Sequence, residues 1–308
     1  LVEKYIAQPS TNLKESQLDN ITASGPPLKV LLDSLEKLRD RRAAADRSDI
    51  RTRFDDIALL KKRLAPNGKI NKPSFKEDFI LTKANYLLNH SVGRPLKTSE
   101  KNFSEQLYTP WKNSLSEPWE QWLEIINEFT ASLAELFNAK QSEFCPQINL
   151  SSGLTKILMS LDRAQKKNCV ILVSEIDFPG MGFALKKSLP KDCEIRFIPS
   201  NIDITNVGVW DEHLTEDVDL VFVSHAYSNT GQLSPISQVL SMARSRNIIS
   251  ILDIAQSVGI VPIDLKALNP DFMIGSSVKW LCGGPGAAYL WVNSDCLATC
   301  NPKDVGWF

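Results

Sequence analysis

The chain has 308 residues, of which 43% are hydrophobic and 23% charged. That balance predicts one large or two ordinary globular domains and excludes disorder along the whole length. Thirty-five Lys and Arg oppose 36 Asp and Glu, a net charge of −1, so neither nucleic acid nor an anionic membrane is an expected partner.

The longest apolar runs, such as Val170–Val173 and Leu220–Val223, fall far short of the roughly 18–20 residues that span a bilayer. The opening stretch LVEKYIAQPS has no basic segment followed by an apolar core and no initiator Met. No secretory signal is therefore read there, and the natural start is expected upstream. Six cysteines, Cys145, Cys169, Cys193, Cys282, Cys296 and Cys300, have no CxxC spacing. They read as reduced thiols of a cytoplasmic protein.

Residues 1–80 form a separate region rich in Lys, Arg, Asp and Leu. Leu28, Leu31, Leu32, Leu35 and Leu38 recur at three- and four-residue steps, which predicts an amphipathic helix and a helical N-terminal extension. The run KLRDRRAAADRSDIR reads as a solvated helix face, diluted by Asp40, Asp46 and Asp49. Residues 85–97, NYLLNHSVGRPLK, read as a short strand, a turn and a helix start. Trp119–Asn138 reads as a long helix. Trp111, Trp119 and Trp122 are candidates for a subunit contact or for the core.

Beyond it, short apolar runs alternate with helical stretches. The runs are Cys169–Ser174, Glu194–Pro199, Val218–Ser224, Ile248–Ile254, Asp271–Gly275 and Ala287–Val292; the helices include Leu154–Ala164, Gly182–Leu189 and Ile236–Arg246. This alternation predicts an α/β fold, a mostly parallel sheet with helices on both faces. Ligands of such sheets bind beyond the carboxyl ends of the strands. Ser174-Glu175, Ser224-His225, Asp253 and Ser276-Ser277 fall there.

Two of these places carry chemistry. Lys279 follows a strand and two serines and precedes a Gly-rich loop. Burial lowers a lysine's pKa and makes it an amine nucleophile, and hydroxyls and free N–H groups beside it suit a phosphate. The alternative is a solvated loop lysine. Asp253 ends an apolar strand and requires a partner there. A protonated heterocyclic nitrogen is one; a helix-capping role is the alternative. His90, His213 and His225 lack metal-ligand spacing, GGPGAA is not the dinucleotide fingerprint, and no G-x-S-x-G elbow occurs.

The stretch LDIAQSVGIVPIDLKALNPDFMIGSSVKWLCGGPGAAYLWV resembles the class V aminotransferase family, fold type I pyridoxal-phosphate enzymes, and within it the kynureninase branch. Other motifs follow in family order: YLLNHSVGRPLK, LSSGLTKIL at 150–158, SEIDFPG at 174–180, SHAYSNTGQLSPI at 224–236 and DVGWF at 304–308. The resemblance covers about residues 84–308 and implies that residues 81–308 form the large domain, with its seven-stranded type of sheet. It also implies a homodimer and a smaller C-terminal domain that lies beyond Phe308.

The cofactor implied is pyridoxal 5'-phosphate. Lys279 would carry it as a Schiff base and move protons at the substrate α-carbon, and Asp253 would pair with its ring nitrogen. Phe178 would stack on the ring. Gly153, Leu154 and Thr155 would bind its phosphate, with a hydroxyl from Ser276 or Ser277. Gln256 would reach its phenolic oxygen, as the Gln of cysteine desulfurases does. The substrate implied is a small-molecule amino acid, with kynureninase-like hydrolysis of a Cβ–Cγ bond next to a ketone. Three positions depart from that branch: Met181 replaces an Asp, Val278 a Tyr and Gln256 a His. They keep open desulfuration, isopenicillin-epimerase-like chemistry and a non-catalytic binding protein. DIAQSVG is similar to the desulfurases.

Overall fold

The computed structural model describes residues 75–304, apart from 114 and 116. The chain divides into two units, residues 1–74 and 75–308. The helical reading of residues 1–80 falls almost wholly outside the described residues, as does most of DVGWF.

Seven strands form one sheet: β1 Phe144–Gln147, β2 Val170–Ser174, β3 Glu194–Ile198, β4 Leu220–Ser224, β5 Ile249–Asp253, β6 Phe272–Ser276 and β7 Ala288–Val292. Their order is β1-β7-β6-β5-β4-β2-β3. Strands β2 to β6 pair in parallel, and β7 runs antiparallel to both β6 and β1. The predicted apolar runs supply every strand but β1. That strand is short and contains Pro146, which is tolerated because β1 lies at the sheet edge.

Helices cover both faces: α1 Trp119–Phe137, α2 Leu150–Ser160, α3 Pro179–Ser188, α4 Val207–His213 and α5 Ile236–Ser245. Along β4 the side chains alternate with period two. Val221 and Val223 pack in one cluster with Phe137 of α1 and Leu240 of α5; Leu220 and Phe222 pack in another with Leu158 of α2 and Leu185 of α3. These four apolar residues of β4 are fully buried, which explains the continuous apolar run. Each such burial contributes about 1.5–3 kcal/mol.

Local chemistry sets the helix ends. Asn138 leaves α1 in the left-handed region at φ 53°, and Pro179 opens α3. The Asn149 side chain caps α2 by accepting from the Ser152 N–H at 2.9 Å. That cap starts α2 at Leu150, four residues before the expected Leu154. Residues 85–95 form no strand; a single bridge joins Phe79 to Leu96.

The cysteine reading needs correction. Cys169 and Cys193 form a disulfide, while Cys145, Cys282, Cys296 and Cys300 are free. Parallel pairing sets Val170 against Glu194, so the residues just before them are neighbours, 4.7 Å apart between Cα atoms. Spacing along the chain does not show a pairing created by strand register. Among the described residues, no helix is long and apolar enough to cross a membrane.

Candidate active site

Strands β2, β4, β5 and β6 end at Ser174, Ser224, Asp253 and Ser276. A cleft of about 210 Å³ opens at these carboxyl ends. Ser224, Asp253 and Ser276 line it, with Phe178, Gln256 and Lys279 from the loops and Leu150 and Ser151 from α2.

Asp253 is 6% exposed. Its Oδ1 accepts the Ala255 N–H at 2.8 Å, the one hydrogen bond of its carboxyl among the described residues. Burial pushes its carboxyl up to about 6, against the lowering by Ala255 and by the Lys279 charge. Burial in turn pulls the Lys279 amine down, and Asp253 opposes that shift. The Lys279 Nζ stands 5.6 Å from the centre of the Phe178 ring. One cleft therefore presents an amine of lowered basicity, a buried carboxyl with no ion pair among the described residues and an exposed aromatic face.

A backbone contact fixes Lys279. Gly93 donates its N–H to the Val278 carbonyl at 2.8 Å. A Cβ on Gly93 would lie 1.9 Å from the Lys279 carbonyl oxygen, so only glycine permits this approach.

The anion end of the cleft is the first turn of α2. Leu150 and Ser151 have no intrahelical acceptor for their N–H groups, and the helix dipole adds positive potential. Gly153, Leu154 and Thr155 sit further into the helix and do not line the cleft. Gly153 and Leu154 are buried; the Thr155 hydroxyl accepts from Ser188 at 3.2 Å. Ser276 lines the cleft, while the Ser277 hydroxyl donates to the Ala287 carbonyl at 2.6 Å. Gln256 lines the cleft with its amide engaged at both ends. Nε2 donates to the His90 carbonyl at 2.9 Å, and Oε1 accepts from the Trp280 indole at 3.0 Å. That geometry differs from the expected reach to a phenolic oxygen.

Sequence reasoning passed over Asn149, Ser151, Gly93 and Asp177. The Asn149 cap was visible as an Asn before an amphipathic run. Asp177 stood inside a quoted motif without a role.

Residues 94–306 match the model of the class V aminotransferase family. The chain belongs to the class V aminotransferase family. Curated relatives of this class V protein include the kynureninase of Shouchella clausii, 26% identical, covering 76% of this chain and 57% of that protein. The kynureninase of Burkholderia mallei is 25% identical over 83% of this chain and 58% of its own length. The uncharacterized aminotransferase YcbU of Bacillus subtilis is 24% identical over 62% and 50%. The chain thus spans 50–58% of the length of these relatives.

Among solved structures, a C-DES mutant with glycine covalently linked to the PLP cofactor superposes with TM-score 0.71 at 23% identity, covering 77% of this chain and 63% of that one. An apo cysteine desulfurase from Thermococcus onnurineus gives 0.63 at 18%, covering 71% and 56%. These likenesses show the fold type I architecture. A separate match covers residues 1–64, to the model of monodechloroaminopyrrolnitrin synthase PrnB.

Pyridoxal phosphate is the cofactor of the class V family, and the cleft fits it on its own chemistry. Among the described residues the buried Asp253 forms no ion pair, and the start of α2 offers N–H groups to an anion. An amine and an aromatic face stand between them.

Proposed function

We propose that this class V protein is a pyridoxal-phosphate enzyme acting on an amino acid. The observation that carries the proposal is that Lys279 and Asp253 line one cleft and act electrostatically on each other. The cofactor, when bound, supplies a ring that stabilises negative charge at the substrate α-carbon.

This chain's residues do the rest. Lys279 holds the cofactor and moves the proton at the substrate α-carbon. Asp253 keeps a proton on the ring nitrogen. Phe178 stacks on the ring, worth about 0.5–1.5 kcal/mol beyond its buried area. The Leu150 and Ser151 N–H groups and the Ser276 hydroxyl orient the phosphate.

The preferred reaction is kynureninase-like hydrolysis of a Cβ–Cγ bond beside a ketone. The relatives named kynureninase support it. A second reading, C–S bond cleavage, is favoured by Gln256, which stands where the kynureninase branch has a His. The first reading includes a cytoplasmic homodimer. Exposed Leu87 and Trp111, at 73% and 68%, are the kind of surface such a contact buries.

Borohydride treatment of the protein mixed with pyridoxal phosphate, followed by peptide mapping, is expected to label Lys279. Labelling elsewhere, or none, overturns the assignment. Turnover of kynurenine against cystine then separates the two reactions. Cofactor binding with no turnover and no α-proton exchange favours a non-catalytic protein.

A further inference from the structure

Asp177 immediately precedes Phe178, and nothing above gives it a task. Its Oδ2 accepts the Ser174 N–H at 2.8 Å, and its own N–H donates to the Ser174 carbonyl at 3.1 Å. Its Oδ1 accepts the Ser224 hydroxyl at 2.6 Å. The carboxyl thus ties the end of β2 to the end of β4 and closes the turn that carries Phe178. Ser224 stands directly opposite Asp253 in the β4–β5 ladder, and the His225 N–H donates to the Asp253 carbonyl at 2.8 Å. Two carboxyls therefore share the strand ends, one hydroxyl-bearing residue apart.

The charged and titratable groups around Asp177 are few. Asp253 comes from β5 and Tyr227 from the loop after β4, and each acts on it or responds to it electrostatically. Lys279 acts on Asp253. Among the described residues, no Lys or Arg forms an ion pair with Asp177. Burial and the Asp253 charge push its carboxyl up to about 7, against the Ser224 and Ser174 hydrogen bonds. Bringing a cation to paired acids of this kind makes it easier for both to be ionised at once.

We propose that Asp177 is a positioning residue of the cofactor site. It anchors the Phe178 turn through Ser174 and Ser224, and it places a second negative charge near Asp253 that favours a protonated ring nitrogen there. The inference rests on the cofactor reading given above and deepens it.

The test uses the full chain loaded with ¹⁵N-labelled pyridoxal phosphate. Asp177→Asn keeps the size and one acceptor and removes the charge. Ser224→Ala keeps the carboxyl and removes a hydrogen bond that favours its ionised form. In Asp177→Asn the ring nitrogen is expected to lose its proton about one pH unit lower, with cofactor affinity about tenfold weaker. In Ser224→Ala the nitrogen titration is expected to fall by a smaller step, because Asp177 without that donor is protonated over more of the pH range. A nitrogen titration unmoved in Asp177→Asn overturns the proposal, as does one lowered no further there than in Ser224→Ala, which marks a merely structural role. If Asp177→Asn does not fold, Ser224→Ala decides: a fall supports the proposal, and an unmoved or raised titration overturns it. Absence of Lys279 labelling in the unsubstituted protein is a different failure. It removes the cofactor reading itself, and this inference with it.

Discussion

Asp253 and Ser224 reach the cleft from neighbouring parallel strands locked by ladder hydrogen bonds. Residues 89–94 reach the neighbouring Lys279 loop along a stretch with no strand or helix of its own. The first region stands on residues of 0% exposure such as Phe222 and Leu252; in the second, Leu87 and Leu88 are 73% and 56% exposed. Apolar burial therefore holds the strand ends, while a handful of named contacts hold the other wall. Such regions differ in what breaks them: burial fails cooperatively, and single contacts fail one at a time.

The largest expected effect belongs to the strand ends. In the cofactor-free protein, Asp253 has a carboxyl raised from 3.8 to about 6. The folded state then holds its proton more tightly than the unfolded state. The stabilisation is fully present below about pH 4 and is lost as pH rises through 6, a fall of about 3 kcal/mol. Urea melts at intervals from pH 4 to 7 measure it. Asp253→Asn is expected to reduce the slope and leave the part that Asp177, raised to about 7, contributes, and bound pyridoxal phosphate to reduce it by bringing a cation. An undiminished slope in Asp253→Asn assigns the effect to other groups.

The strand-end region was also the legible one. Continuous apolar runs ending in Ser, Asp or Ser announced buried parallel strands and placed polar side chains at their carboxyl ends. Lys279 and Asp253 stood out because charged groups beside apolar runs need a reason. What escaped depends on contacts across the fold. The Cys169–Cys193 pairing follows from strand register, and the tasks of Asp177 and Gly93 follow from neighbours far along the chain. The start of α2 was misplaced because the Gly153-Leu154-Thr155 pattern outweighed the Asn149 cap. Residues 85–95 alternate enough to suggest a strand, yet their backbone groups are engaged by loops.

The middle-sized effect tests the second region. Gly93→Ala would bring a Cβ within 1.9 Å of the Lys279 carbonyl oxygen and 2.8 Å of the Cys282 sulfur. Backbone atoms cannot yield as a flexible side chain does, so a shift of the Lys279 loop is expected. The cost is about 2 kcal/mol, read as a lower denaturation midpoint. Cofactor affinity is expected to fall with it, while the pH slope set by Asp253 persists. Loss of the pH slope as well would show that the two regions are one cooperative unit.

The smallest expected effect comes from Gln256, which joins the two regions. Its amide bridges the His90 carbonyl and the Trp280 indole, and each such bond contributes about 1 kcal/mol. Gln256→Ala is expected to lower stability by about 1 kcal/mol, because water reaches the freed partners in this half-open position. Gln256→Glu keeps the acceptor for Trp280 and loses the donor to His90, so it is expected to fall between. The absorption spectrum of the bound cofactor separates the two possible roles of this side chain. A bridge between loops leaves the spectrum of Gln256→Ala unchanged while affinity weakens. A hydrogen bond to the phenolic oxygen shifts the spectrum, and that result would move Gln256 from holding the loop to holding the cofactor.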